Sequence, residues 1–347
     1  DTASVADTLQ RYAGALGRIN DAALSTRAYA RQIAIKGMAI SGADIAIIGR
    51  NDGTSFVDVT DPVNPRYLGQ ILVTPGANPS GWTEIKTYKH YALITKDGSG
   101  PHGVQIFDLH RLRNVKEPQT FEPDAIYREV ANVHDILANN ETGYAYAVGS
   151  NGGGESCGGA YHIMDMKDPL NPKFAGCYAD VETGRSKTGY SHDALCVVYR
   201  GPQVKYKGRE ICVGSNETAL SITDLTDKSN MKILSRISYP NVAYTHQGWW
   251  SEDHRYFYVN DELDETGGQG LAAQATRTLI FDFADLDDPV LVKEWLGTTK
   301  ASDHNLYVRG NRMYQANYKA GLRIIDISDP VNPREVGFFD VTPDDYN

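Results

Sequence analysis

The stretch "LRIIDISDPVNPREVGFF", residues 322–339, decides the fold. Apolar residues recur along both halves, and the Asp-Pro-Val-Asn-Pro segment between them is typical of a turn. Two strand-like halves joined by a polar turn predict a β-hairpin. Close copies of the hairpin begin at Thr54 and Tyr161, and looser copies begin at Val104, Leu220 and Thr278. The chain is therefore a repeat array.

Each hairpin follows a second pair of short strands, such as "LYVRGNRMYQAN" from Leu306 with its Gly-Asn turn. One unit is thus four antiparallel strands, and it recurs roughly every 45 to 60 residues. Four-stranded antiparallel units of this period predict the blades of a β-propeller. We therefore expect an all-β fold with six visible blades, and we assign residues 33–347 to this β-propeller domain.

The N-terminal stretch has a different pattern. Apolar residues recur there at helical spacing, at Val5, Leu9, Tyr12, Leu16 and Ile19. This spacing predicts a helix over residues 4–29, inside an N-terminal helical segment that covers residues 1–32. Because the chain starts at Asp1 without a signal peptide, we expect a mature or trimmed product.

The hairpin "LRIIDISDPVNP" resembles the LVIVD repeat of extracellular β-propellers. Further motifs, in order, resemble the choice-of-anchor B family over residues 44–343: "GTSFVDVTDPVNP", "HGVQIFDL", "GREICVGSNE", "THQGWWSEDHRYFYVNDELDE" and "DHNLYVRGNRMYQANYKAGLRIIDISDP". This resemblance implies a secreted or surface-anchored propeller with seven blades, and it implies no activity. Six blades are visible in the sequence, so closure with six or seven blades stays open.

The overall charge excludes some partners. The chain has 34 basic and 44 acidic residues, a formal charge of −10, and no basic stripe. This argues against binding to nucleic acid and against electrostatic docking on an anionic membrane. No apolar run of about 18 residues is present, which predicts no transmembrane segment.

The four cysteines suit an oxidising compartment. Their even number and the lack of a Cys-x-x-Cys pattern fit two disulfides, Cys157–Cys177 around the hairpin of blade 3 and Cys196–Cys212 on neighbouring strands of blade 4. The sequence then predicts an extracellular, periplasmic or cell-surface protein. Four buried free thiols are the alternative.

Four of the nine histidines occupy one repeated position, at the head of the innermost strand of a blade. In an up-and-down blade, this end of the strand lies on the same face as the loops between the second and third strands. Those loops are long and rich in glycine, and functional residues are often carried on loops over a rigid scaffold. The sequence therefore predicts a functional site on this face, at the mouth of the central channel.

Imidazoles that converge with a carboxylate can bind Zn, Fe, Mn, Cu or Ni. The candidate ligands are His134, His192, His246, His304 and Glu84. The acidic loop of "YVNDELDE" suits Ca²⁺ through Asp261, Glu262, Asp264 and Glu265. Candidate ligand-binding residues on the same face are Trp82, His102, Asp135, Asp193, Gln247, Arg277 and Asn305.

Other interpretations of these residues remain open. A histidine at a strand head can bond the neighbouring blade, and an acidic loop can simply be solvated. Glu262 can instead pair with a histidine. Three functions follow: a propeller that binds a divalent metal and a protein or polysaccharide ligand, a metal-dependent lyase or hydrolase using the same histidines, or a structural surface protein.

Overall fold

The computed structural model describes residues 32–40, 43–266 and 275–340, with side chains from residue 44 onward. The predicted helix over residues 4–29 lies outside these ranges. Within them the chain forms 27 strands and four single-turn 3-10 helices. No helix in the described ranges is long and apolar enough to cross a membrane.

The chain divides into two compact units, the first ending at Tyr178 and the second beginning at Ala179. The strands of blade 1 are β1 Gln32–Ile40, β2 Ala43–Arg50, β3 Gly53–Asp58 and β4 Arg66–Leu72, and β8 Gln119–Phe121 joins its edge in parallel. Blade 2 consists of β5 Trp82–Tyr88, β6 Tyr91–Asp97, β7 Val104–Asp108 and β9 Ala125–Tyr127. Blade 3 consists of β11 Asp135–Asn139, β12 Tyr144–Val148, β14 Tyr161–Asp165 and β15 Lys173–Tyr178. A separate ribbon pairs β10 Val130–Asn132 with β13 Asn151–Gly154.

The second unit contains three further four-stranded sheets. Blade 4 consists of β16 Asp193–Val198, β17 Glu210–Ser215, β18 Leu220–Asp224 and β19 Lys232–Ile237. Blade 5 consists of β20 Thr245–Trp250, β21 Tyr256–Asp261, β22 Arg277–Asp282 and β23 Val290–Leu296. Blade 6 consists of β24 Asn305–Arg309, β25 Arg312–Ala316, β26 Leu322–Asp326 and β27 Arg334–Phe339.

The prediction of an all-β propeller with four-stranded antiparallel blades is confirmed, and the described ranges contain six blades. The seventh blade implied by the family resemblance stays a prediction. The boundary between the N-terminal segment, residues 1–32, and the propeller domain, residues 33–347, also stays a prediction.

The repeated Asp-Pro-Val-Asn-Pro segment forms the outer turn of its hairpin. In blade 6, Asp329 accepts a hydrogen bond from the Val331 backbone N–H at 3.2 Å and from the Asn332 amide at 2.8 Å. Asp61 makes the same two contacts in blade 1, at 3.0 and 2.8 Å. An aspartate that bonds the backbone two residues on fixes the turn locally, so the motif recurs for a structural reason.

Alternate residues of the middle strands pack against opposite neighbours. In β22, Leu279 and Phe281 belong to the core shared with blade 4, whereas Ile280 packs with Leu306 and Ile325 of blade 6. All of these side chains are at most 5% exposed. Because each such strand is buried on both faces, its sequence is a nearly continuous apolar run. Burial of each large side chain contributes roughly 1.5–3 kcal/mol to the free energy of folding.

The predicted disulfides are both present. Cys157 is bonded to Cys177, and Cys196 is bonded to Cys212. Cys196 and Cys212 are direct cross-strand partners on β16 and β17. No free cysteine remains among the described residues.

Candidate functional site

Three of the four repeated histidines meet in the second unit. His192, His246 and His304 belong to blades 4, 5 and 6. The ring centroids of His192 and His246 are 4.3 Å apart, and those of His246 and His304 are 4.6 Å apart. The structure thus brings three of the four histidines of the predicted arc together, because repeat-equivalent residues of adjacent blades lie side by side.

Glu262 completes the cluster. Its carboxylate lies 3.4 Å from Nε2 of His246 and 3.9 Å from Nε2 of His304. One ligand atom from each of these three residues lies within 4.8 Å of the other two. The structure thus selects one interpretation of the acidic loop, in which Glu262 turns towards the histidines.

A β-bulge directs His246 into the cluster. Thr245 is opposite Asp261 and Gln247 is opposite Asn260, so His246 is the extra residue on β20. Bulges bend a strand locally and change the direction of a side chain, and they are frequent beside active sites. In a regular strand without the bulge, the side chain of His246 would point to the face of the sheet opposite to the side chains of Thr245 and Gln247.

Two tyrosines border the cluster. The Tyr318 hydroxyl donates a hydrogen bond to Oε1 of Glu262, and its ring centroid is 5.0 Å from that of His304. The Tyr244 ring lies 5.0 Å from the His192 ring and carries the Arg185 guanidinium 4.7 Å above its centroid. Burial raises the pKa of Tyr244 above its ordinary value, so its phenol stays neutral.

The nitrogen and oxygen atoms of the cluster suit a divalent transition metal. Two imidazoles and one carboxylate, with a third imidazole beside them, match the ligands preferred by Zn²⁺ and related transition ions. His246 is buried, whereas Tyr318 is 51% exposed and the His304 side chain is 30% exposed. One side of the cluster is therefore open to solvent, as an exchangeable coordination position requires.

The other acidic side chains of the loop have different partners. Asp261 accepts hydrogen bonds from the backbone N–H groups of Ala243 and Tyr244, at 2.7 and 2.6 Å, and from the Tyr239 hydroxyl at 3.1 Å. Asp264 is bonded to Nε of Arg277 at 2.6 Å. The loop thus does not gather its carboxylates around one point.

Arg277 fixes the base of this loop. Besides Asp264, its guanidinium lies 3.3 Å from Glu294 and donates to the backbone carbonyls of Pro240 and Asn241. The side chain is buried and its donors are already used within the protein. The geometry gives Arg277 a supporting role, and ligand contact by Arg277 stays a prediction.

Asp303, which the sequence analysis did not select, lies directly before His304. It is fully buried, and neither carboxylate oxygen has a hydrogen-bond partner among the described residues. Burial raises the pKa of Asp303 well above its usual value, and the negative charges of Glu265 and Asp264 raise it further. Burial and the hydrogen bond that the protonated Glu265 donates to Asp264 likewise raise the pKa of Glu265 to about 9. Because a raised pKa favours the neutral acid, these buried carboxyl groups do not by themselves attract a cation.

The candidates of the first unit form a different pattern. Nδ1 of His134 lies 2.9 Å from Asp97, a carboxylate at the end of β6. Glu84 is paired with Lys86, whose ammonium also lies 3.4 Å from Asp135. His134 therefore repeats on blades 2 and 3 the pairing of His304 with a carboxylate from the preceding blade.

The remaining candidates have mainly structural surroundings. His102 is completely buried, and burial lowers its pKa to about 4, so its imidazole is neutral. Gln247 exchanges two hydrogen bonds with the backbone of Leu306, at 2.9 and 3.0 Å, and so links blade 5 to blade 6. Asp193 and Asn305 are the first residues of β16 and β24, and the exposed Trp82 is the first residue of β5.

Comparison with known proteins supports the repeat and the fold. Residues 302–341 match the LVIVD repeat. The chain carries this repeat. No curated protein matches the sequence of the chain.

Several solved structures have a similar fold. A functionally unknown protein from Desulfotomaculum acetoxidans has a TM-score of 0.58 at 11% identity, with 88% of this chain and 84% of that chain covered. A putative 6-phosphogluconolactonase from Bacteroides uniformis has a TM-score of 0.58 at 14% identity, with coverages of 86% and 83%. A periplasmic gluconolactonase from Pseudomonas aeruginosa has a TM-score of 0.56 at 10% identity, with coverages of 86% and 82%. At these identities the similarity shows the fold alone.

Proposed function

We propose that this LVIVD-repeat propeller binds a divalent transition metal through His246, Glu262 and His304, with His192 as a further imidazole beside it. The observation that carries the proposal is the carboxylate of Glu262, which lies between two imidazole nitrogens at 3.4 and 3.9 Å. Two imidazoles and a carboxylate are ligands that such an ion prefers.

The open side of the cluster is the place for a ligand. Tyr318 and His304 are accessible there, and an oxygen donor from a polysaccharide or a protein side chain would complete the coordination. The ligand is held by the metal and by the Tyr318 hydroxyl, and no turnover is needed. The acidic loop is a less favourable site for Ca²⁺, because Asp261 and Asp264 already accept hydrogen bonds within the protein.

The proposed location is extracellular, periplasmic or at the cell surface. Two disulfides support it, because disulfides persist in oxidising compartments. Membership of the choice-of-anchor B family would agree with this location and rests on the sequence motifs alone.

Metal analysis of the purified protein tests the proposal. After loading and desalting, we expect the His246→Ala, His304→Ala double variant to retain about one equivalent less of a transition metal than the wild type. Glu262→Gln should weaken binding at least tenfold, because removal of a charged ligand typically costs more than 1.4 kcal/mol. His134→Ala is the matched control, since it removes an imidazole–carboxylate pair of the first unit. Equal metal content in the wild type and the double variant would refute the site.

A hydrolase is the second candidate. Two structural neighbours are a putative 6-phosphogluconolactonase and a periplasmic gluconolactonase, and Tyr318 supplies a hydroxyl next to the Glu262 carboxylate. A bound metal would supply Lewis-acid polarisation of a lactone carbonyl. Glu262 would help to hold that metal, and Tyr318, which donates a hydrogen bond to Glu262, would keep the carboxylate in place.

An activity assay distinguishes an enzyme from a protein that only binds its ligand. Metal-loaded protein is assayed with sugar lactones for hydrolysis, and with uronate polysaccharides for lyase activity. Product formation that is lost in Glu262→Gln and in Tyr318→Phe would establish the enzyme. Metal binding without turnover supports the binding function, and absence of metal with stability unaffected by chelators supports a structural protein.

A further inference from the structure

A second histidine cluster lies in blade 2. His90 occupies the turn between β5 and β6, Asp108 is the last residue of β7, and His110 is in the 3-10 turn that follows. The backbone N–H of Leu109 donates to the His90 carbonyl at 3.0 Å, so the two segments are bonded directly. The cluster is at the start of β6, whereas the His134–Asp97 pair is at the end of the same strand.

The donor atoms already converge. Asp108 Oδ1 lies 3.2 Å from Nδ1 of His110 and 3.9 Å from Nε2 of His90. The two imidazole rings are stacked, with centroids 4.2 Å apart and an interplanar angle of 23°. One ligand atom from each residue lies within 4.8 Å of the others.

Local hydrogen bonds hold the carboxylate in this position. Asp108 accepts from the backbone N–H of His110 at 2.9 Å, and its own N–H donates to Asp124 at 2.7 Å. The site is therefore positioned by the backbone on both sides. A ligand that is ordered before binding loses less conformational entropy when an ion arrives.

The surroundings are acidic and accessible. The Tyr91 ring is 4.2 Å from His90, and the Asp124 carboxylate accepts a hydrogen bond from the backbone N–H of Asp108. Each of the three ligand side chains is between 28% and 36% exposed, so an ion can enter from solvent. Arg111 is bonded to Asp124 at 2.9 Å and does not occupy the cluster.

We propose that His90, Asp108 and His110 form a second site for a divalent transition ion, with Zn²⁺ or Cu²⁺ as the best match to two nitrogens and one oxygen. Ions of this class prefer imidazole with carboxylate, whereas Ca²⁺ and Mg²⁺ prefer oxygen alone. Solvent molecules would fill the remaining positions. The site has no residue in common with the His246 cluster and is independent of its function.

Zinc titration of metal-free protein followed by calorimetry tests the proposal. We expect two equivalents in the wild type, one in His90→Ala, His110→Ala, one in His246→Ala, His304→Ala, and none in the quadruple variant. His90→Gln alone should weaken the blade 2 site at least tenfold and leave the other unchanged. The melting temperature of each metal-free variant checks that the fold is kept.

The outcomes are distinguishable. If His90→Ala, His110→Ala and His90→Gln both bind zinc with the wild-type stoichiometry and affinity, the second site does not exist. If only the His246 variant keeps full zinc binding, the proposed function fails while this site stands. Cobalt substitution gives an independent reading, because its visible absorption should lose one component in each double variant.

Discussion

Single residues of this protein have roles that depend on their partners rather than on their position in the repeat. His134 and His304 are repeat-equivalent, and each faces a carboxylate of the preceding blade. His134 is joined to one aspartate, whereas His304 shares Glu262 with His246. A carboxylate beside one imidazole forms an ion pair, whereas a carboxylate beside two imidazoles forms a candidate metal centre.

The His134–Asp97 pair predicts a pH-dependent contribution to stability. Burial lowers the pKa of His134, but the hydrogen bond and charge of Asp97 outweigh it and raise the pKa above its usual value of 6.5. A raised histidine pKa stabilises the fold fully below about pH 6.5, and the contribution is lost as pH rises through the folded pKa. We expect His134→Ala to lose about 1 kcal/mol at pH 5.5 and less at pH 8.5, measured by urea unfolding. Asp97→Asn is the partner variant, and a loss that is equal at both pH values would contradict the pair.

For Lys96 we predict the opposite pH dependence, in which stability rises as the pH rises. Its buried ammonium bonds the Ser80 carbonyl at 2.9 Å and the Thr83 hydroxyl at 2.8 Å, and burial lowers its pKa to about 8. The unfolded chain binds more protons between pH 8 and about 10.5, so stability should rise with pH in that window. Lys96→Met should reduce stability at pH 7 by about 1–3 kcal/mol and remove this slope. Unfolding free energies at pH 7, 8.5 and 9.5 measure both effects, and an unchanged slope would show that Lys96 does not titrate as proposed.

At the scale of elements, the outer hairpins depend on their turn aspartates. Asp61 and Asp329 each bond a backbone N–H and an asparagine amide within the same turn. The contacts are local and exposed, so their loss affects the hairpin and leaves the buried strands intact.

Asp329→Ala should therefore cost about 1 kcal/mol of unfolding free energy, close to that of other side-chain caps of backbone N–H groups. Asp329→Asn should recover only part of it, because the single amide oxygen can accept from the Val331 backbone N–H, whereas the NH2 group cannot accept from the Asn332 amide. Denaturant unfolding of both variants provides the measurement. Equal stabilities for the alanine variant and the wild type would mean that the prolines alone hold the turn.

At the scale of the whole molecule, two disulfides close short segments, one in each compact unit. Their sequence separations are 20 residues for Cys157–Cys177 and 16 residues for Cys196–Cys212. A crosslink over such a loop restricts the unfolded chain, and typical stabilisation is about 2–4 kcal/mol.

Removal of either crosslink should lower stability by about 2–4 kcal/mol. We compare Cys157→Ser, Cys177→Ser with Cys196→Ser, Cys212→Ser, each with and without dithiothreitol. The reductant should destabilise the wild type more than either double variant. Four free thiols in denatured, unreduced wild-type protein would contradict both crosslinks, and two free thiols would contradict one of them.

Much of the fold follows from sequence patterns because those patterns are local. The alternation of apolar residues and the repeated turns predicted four-stranded blades, and the cysteine spacing predicted both pairs. The position of the histidines at the strand heads likewise predicted that they would be neighbours. Repetition along the chain becomes repetition in space when each blade packs on the next.

The assignment of chemistry to particular side chains required the tertiary structure. Glu262 and His304 are 42 positions apart in the sequence, and their contact depends on how blades 5 and 6 pack. The bulge that turns His246 inward and the backbone donors that engage Asp261 also lie beyond any local pattern. The sequence by itself thus determined the blades, the crosslinks and the strand ends that carry histidine. Only the tertiary structure decided which carboxylate meets which imidazole, because the partners of most buried polar groups come from distant parts of the chain.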